Sequence, residues 1–171
     1  FLRRVYLDIT GLLPSPDQVV YFLENDDPDK RIKLIDKLLA TDDHTAFWAQ
    51  KWGDLLKLST RQMGHRSVFK FHRWIERAVA DNMPYDQFAS EILSASGSNL
   101  TNPTANFYRT GSSTADIMES TAQLFLGTRI GCAKCHNHPY ERWTQNNYYG
   151  LSAFFNRIQT KKTGRKDEVV V

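Results

Sequence analysis

Apolar residues recur along most of the chain at three- and four-residue intervals, the period of one face of an α-helix. Val19, Phe22 and Leu23 make the first buried stripe. It follows a strong start signal, with Ser15 as cap, Pro16 at the first helical position and Gln18 closing a capping box. Asp27-Pro28 repeats the signal. Ile32, Ile35, Leu38 and Leu39 continue with helical spacing, while Lys30, Arg31, Lys33 and Lys37 fall mostly outside it. Asp42-Asp43 opens a third helix with Trp48, Trp52, Leu55 and Leu56 as its apolar face. A fourth covers residues 67–82, with Val68, Phe71, Ile75, Ala78 and Val79 on one side. It ends at Asn82-Met83-Pro84, because a residue before proline resists helical geometry. A short fifth helix carries Tyr85, Phe88, Ile92 and Leu93. Ser113 or Thr114 caps a sixth, with Ile117, Thr121, Leu124 and Phe125, and Thr144 caps a last one, with Tyr148, Leu151, Phe154 and Phe155. Residues 1–10 read as a short helix or an extended arm. No strand alternation is sustained. The reading is all-α: a compact helical domain of about seven helices, with long loops around a C-x-x-C-H motif.

Ser, Gly, Asn, Thr and Pro dominate residues 95–113, so a loop is expected there, and loops of that length are often functional. Asn106-Phe107-Tyr108-Arg109 interrupts it as a segment that packs down. Residues 159–171, basic and then acidic before Val169-Val170-Val171, read as a tail or a linker to a further domain. The chain of 171 residues is long enough for a real core, and its 41% apolar content can fill one. A net charge of +3 is too small to argue for nucleic-acid or membrane-surface binding. No apolar run is long enough for a transmembrane helix. Phe1-Leu2-Arg3-Arg4 reads as mid-domain sequence, so a longer parent chain is expected. No Ser/His/Asp arrangement, glycine-rich phosphate loop or catalytically spaced carboxylate pair is present, so no reaction is assigned.

The informative stretch is residues 131–139, which hold both cysteines and two of the five histidines. Cys132, Cys135 and His136 spell the attachment signature of a c-type haem. On one helical turn, residues three and four apart share a face. Two thiols can then reach the two vinyl groups of a single porphyrin, and His136 meets the iron as proximal ligand. Two other chemistries suit the same residues. Cys132, Cys135, His136 and His138 are four zinc-type donors, although structural zinc sites usually pair two separated knuckles. Cys132 and Cys135 also form a C-x-x-C thiol pair, although no βαβ context precedes them.

Several stretches resemble one family. Phe1 to Pro14, Pro84-Tyr85-Asp86-Gln87-Phe88, Asn106 to Arg109 and Phe125-Leu126-Gly127-Thr128-Arg129 are similar to the planctomycete cytochrome-like domain PSCyt2, a domain of unknown function (DUF1549). So is the run from Cys132 to Pro139 through Trp143 to Leu151. The resemblance covers residues 1–158. It implies a bacterial domain exported to the periplasm or another extracytoplasmic space, within a larger protein that carries a second cytochrome-like domain. That location also suits c-type attachment, which needs reduced thiols and free haem together. The resemblance supplies no reaction of its own. Together with the motif it leads to an expected cofactor of one covalent haem c, and to an expected role in electron transfer or haem-based redox chemistry, with a redox partner protein or the neighbouring domain.

Around the motif, Arg129 and Arg142 are candidates to pair with a haem propionate, since guanidinium matches carboxylate at two points. His138 stands too close to His136 to reach the opposite face of one ring; it is a candidate for a propionate, a backbone carbonyl or a second centre, or forms a structural His-Pro turn. Trp143, Tyr140, Tyr148, Tyr149 and Phe125 are candidates for an apolar wall. Met118 is the candidate distal ligand to iron, with core packing as its alternative. His72 is a further distal candidate, ahead of His44, His65, Met63 and Met83.

Overall fold

A computed structural model describes residues 1–171. The helices, in chain order, are α1 (Leu2–Thr10), α2 (Pro16–Glu24), α3 (Lys30–Leu39), α4 (Asp42–Leu55), α5 (Thr60–Met63), α6 (His65–Ala80), α7 (Tyr85–Leu93), α8 (Thr114–Phe125) and α9 (Gln145–Phe155). Two 3-10 helices cover Pro103–Arg109 and Gly131–Lys134, and two short strands, β1 (Lys161–Lys162) and β2 (Val169–Val170), pair antiparallel. The mostly helical reading holds. The chain forms two compact units, Phe1–Asp54 with Ile75–Met83, and Leu55–Trp74 with Pro84–Val171.

In the first unit the expected start of α2 is present. Gln18 N–H donates to Ser15 Oγ at 3.3 Å, and Ser15 N–H donates back to Gln18 Oε1 at 2.7 Å. The stripe is not buried as the spacing suggested. Val19 and Phe22 are half-buried, Leu23 is 70% exposed, and α2 buries no residue fully. Helical spacing tells which residues share a face, but not whether another element covers it. In α4, Trp48 and Leu55 lie exposed, and the buried positions are Ala49 and Gly53. Small residues let a helix approach its neighbours closely, so the large apolar ones are left to the side. Near the other end of the unit, His44 Nδ1 donates to Ile9 O at 3.1 Å, so its ring ties α4 to α1.

The second unit is built on a buried polar hub. Asn99 is fully buried. Its Nδ2 donates to Ser67 Oγ at 2.9 Å, Asn106 Oδ1 at 3.0 Å and Asp167 O at 3.1 Å. Its Oδ1 accepts Val169 N–H at 2.7 Å, and its own N–H donates to Val169 O at 3.0 Å. Arg109 Nη1 reaches Ser67 Oγ and Asn106 Oδ1, each at 3.0 Å. Burial pushes the Arg109 guanidinium pKa down, and the neighbouring Asp167 charge opposes that. Gly64 stands at φ +79 with Asp167 Oδ1 2.7 Å from where a Cβ would lie, so a side chain there has neither the backbone geometry nor the room.

Residues 95–113 are therefore far from a loose loop. Thr104, Ala105, Asn106, Phe107 and Tyr108 are all buried within the 3-10 segment, which bears out the expectation that Asn106 to Arg109 packs down. The stretch 159–171 is fastened to the same hub. Val169 is buried, and Gly97 and Val171 exchange two backbone hydrogen bonds. No buried side-chain nitrogen or oxygen lacks a partner. Leaving a buried donor or acceptor unpaired costs about 1–3 kcal/mol for each group. Asn99→Leu strips partners from several at once, and is expected to destabilise the protein by roughly 3–4 kcal/mol. Ser113→Ala, which removes one side of the α8 capping box, is expected to cost only about 1 kcal/mol. Urea denaturation of both variants against wild type measures the contrast, and equal small losses would contradict it.

Candidate functional site: the Cys132–His136 turn

The site lies in the second unit, where the chain leaves α8. Ser113 Oγ accepts Asp116 N–H at 3.2 Å, and Asp116 Oδ2 accepts the Ser113 N–H at 3.0 Å, which starts α8. Hydrogen bonds from the hydroxyl of Ser112 first, then from Ser113 and both backbones, hold the Asp116 carboxyl below its ordinary range. The helix buries Ile117, Met118, Ser120, Thr121 and Ala122. After the turn at Gly127, Ile130 and Ala133 are buried and anchor the 3-10 helix. Ala133 N–H donates to Ile130 O at 2.9 Å.

Residues three apart in a 3-10 helix lie one above the other. Ile130 and Ala133 thus share the inner side. Both cysteines are exposed free thiols, and His136 beside them is exposed. The expected single helical turn covers only part of the motif: the 3-10 helix holds Cys132 and ends at Lys134, and Cys135 and His136 follow it in a turn and a bend.

The imidazole of His136 is held through one nitrogen. Its Nδ1 lies 2.7 Å from Asn137 O. A carbonyl oxygen can only accept, so Nδ1 is the donor and Nε2 is the nitrogen left outside this contact. Asn137 is itself held, since its Oδ1 accepts the N–H of Gln145, the first residue of α9, at 3.2 Å. Lys134 O accepts from Gln145 Nε2 at 3.1 Å and from the Tyr149 hydroxyl at 3.3 Å. The N-terminal turn of α9 thus grips the motif at three points.

His138 is engaged differently. Its Nδ1 accepts the N–H groups of Tyr140 and Glu141 at 3.3 and 3.0 Å, and its own N–H donates to Trp143 O at 2.8 Å. It clasps residues 138–143 into a closed turn, and its Nε2 carries the proton.

Beneath the turn lies a pair that spacing did not reveal. The Tyr148 hydroxyl donates to Glu119 Oε1 at 2.8 Å, and Glu119 Oε2 would lie 3.2 Å from a Cβ on Gly131. Gly131 thus lets the motif's backbone settle onto a carboxylate. Burial, then the bond to Glu119 and its charge, push the Tyr148 phenol far up, with smaller contributions from Tyr149 and Cys135. Glu119 and Tyr148 stand 29 positions apart in the chain, so no local pattern joins them.

A family profile described as PSCyt2, protein of unknown function (DUF1549), matches residues 1–160. The chain belongs to the PSCyt2 family. No curated protein and no solved structure matches it.

In this PSCyt2 chain the other candidates are spread out. Arg129 is exposed beside the turn. Arg142 lies 5.0 Å over the Trp143 ring, and Trp143 is half-buried. The proposed aromatic wall is not one surface. Tyr140 is 93% exposed, Tyr149 packs edge-on to Tyr148, and Phe125 packs against Phe107 and Tyr85 instead. Met118 and Met63 are buried in the core, and His72 is half-buried on α6. No group of three or more His, Cys, Asp or Glu side chains is arranged to hold a metal ion.

The turn thus offers two exposed free thiols, Cys132 and Cys135, and beside them the exposed imidazole of His136. The Glu119 contact gives a separate prediction. Tyr148→Phe is expected to cost about 2 kcal/mol, as for a hydrogen bond to a charged group. Because the folded Tyr148 holds its proton more tightly than the unfolded chain does, its contribution is complete below pH 10.0, the ordinary tyrosine value, and is lost as the pH rises above it. Urea midpoints measured on both sides of that value should fall more steeply for wild type than for Tyr148→Phe.

Proposed function

We propose that this PSCyt2 domain is a c-type cytochrome-like domain. Cys132 and Cys135 would hold one haem through two thioether bonds, and His136 Nε2 would be its proximal ligand. The observation that supports the reading is the hydrogen bond from His136 Nδ1 to Asn137 O, next to two free thiols, one in the 3-10 helix and one just past its end. Metal-bound histidines commonly donate their other ring N–H to a carbonyl in this way, which fixes the ring and raises its basicity. The cytochrome-like element in the family's name agrees.

When bound, a haem supplies a one-electron iron couple whose potential the axial ligands and surroundings tune. The chain's own groups bind and orient. Asn137 fixes the imidazole, and Gln145 fixes Asn137. Arg129 and the Nε2–H of His138 are the donors suited to propionate carboxylates, and Trp143 offers an apolar edge. Met118 is fully buried and would have to leave the interior to reach a bound haem. The role is electron transfer with a redox partner protein or a neighbouring cytochrome-like domain, in an extracytoplasmic compartment where such haems are attached. The zinc alternative needs four converging donors, and the Nδ1 of His138 is already taken by two backbone N–H groups.

The test is expression in a bacterial periplasm with haem-attachment machinery, alongside a control cytochrome. Wild type should show a Soret band and keep its colour through acid-acetone extraction. Cys132→Ser with Cys135→Ser should lose covalent haem. His136→Ala should keep covalent colour with an altered spectrum. Colourless wild-type protein from cells that mature the control would falsify the reading.

A further inference from the structure

A wide cleft of about 760 Å³ opens in the second unit, and none of its lining comes from residues 127–150 around the motif. Its volume is that of pockets for small organic ligands. Its apolar lining includes Leu126, Leu151, Phe154 and Ile158. Phe154 is 81% exposed and Leu126 62% exposed, although spacing on α9 had assigned Phe154 to the core. The polar groups in the lining are mostly committed to the fold. The hydroxyls of Tyr108, Thr121 and Ser94 donate to the carbonyls of Leu93, Ile117 and Ser90. Ser96 and Gln159 are further polar side chains in the lining, both exposed, so towards a ligand the walls are mostly apolar. One charged side chain lines the cleft, Arg157, which is exposed and forms no ion pair or hydrogen bond.

From this combination we infer that the cleft binds an amphiphile with one apolar chain and one carboxylate, a fatty acid by chemical class. The chain would lie along Leu126, Leu151, Phe154 and Ile158. The carboxylate would meet the guanidinium of Arg157 in the two-point geometry that suits this pair. An apolar molecule without the anion would gain only from the walls, and a small anion without the chain only from the arginine. The inference is independent of haem attachment, since the cleft and the turn share no lining residue.

The experiment is isothermal titration calorimetry on the full-length protein with dodecanoate, below its micelle concentration, and with uncharged dodecanol. Wild type should bind dodecanoate saturably and more tightly than dodecanol. Arg157→Gln should weaken dodecanoate about tenfold, as expected for loss of one charge-assisted contact, and leave dodecanol unchanged. Ser96→Trp, an exposed lining position where a large ring would fill the space, should abolish binding of both. No saturable dodecanoate binding by wild type would overturn the inference. So would equal affinity for the alcohol, or unchanged affinity in either variant.

Discussion

One buried carboxamide, that of Asn99, sets the terms for the second unit. A side chain whose two amide hydrogens are divided among three oxygens, and whose own oxygen accepts a backbone N–H, can be buried only if all its partners arrive together. Those partners come from α6, the 3-10 segment Pro103–Arg109 and the stretch that ends in β2. The amide therefore acts as a checkpoint on assembly. Misplacing any one segment leaves the others with unpaired groups in a low-dielectric interior, where the penalty is largest. Arg109 adds a half-buried positive charge to the same cluster, whose bonds to Ser67, Asn106 and Gln62 offset the cost of its partial burial. This gives the Asn106 to Arg109 run, one of the stretches that resembles the family, a structural purpose.

The Cys132–His136 turn follows the opposite logic. Its anchors, Ile130 and Ala133, are apolar and buried, and its reactive atoms face out. It is fixed through main-chain carbonyls, Lys134 O and Asn137 O, which α9 and His136 address. Such an arrangement holds the backbone while leaving both thiols and the Nε2 of His136 uncommitted. The covalent attachment proposed above would benefit from that division, since a backbone already held needs little further ordering when a group binds.

How much of this could be read in the sequence depended on the range of the interactions. Helix starts are local: Ser15 closes the capping box its spacing announced, and Ser113 and Thr144, expected as caps, each close one as well. The C-x-x-C-H motif is local as well. Which apolar face is covered is not local. Leu23, Trp48 and Phe154 obey helical periodicity yet lie exposed, because coverage depends on elements distant in the chain. The hub and the Glu119–Tyr148 pair lay further out of reach. Asn99 meets Val169 across 70 positions, and a polar residue in a Ser/Asn/Gly-rich stretch carries the composition of a loop whether it is solvated or buried. The composition of residues 95–113 reported polarity correctly and burial wrongly.

Both candidate surfaces of the second unit use the same two helices. The start of α9 holds the motif through Gln145 and Tyr149, its middle meets α8 through Tyr148 and Glu119, and its end supplies Leu151, Phe154 and Phe155 to the cleft. On α8, Glu119 faces the motif, while Thr121 and Phe125 line the cleft. A shared scaffold does not by itself couple two sites, since coupling requires an element with two discrete arrangements that each ligand biases differently. The Glu119–Tyr148 contact, between a half-buried carboxylate and a fully buried phenol, fixes how α9 seats on α8. One hydrogen bond of this kind supplies a fixed seat and no second arrangement, so nothing in α8 and α9 calls for coupling between the turn and the cleft.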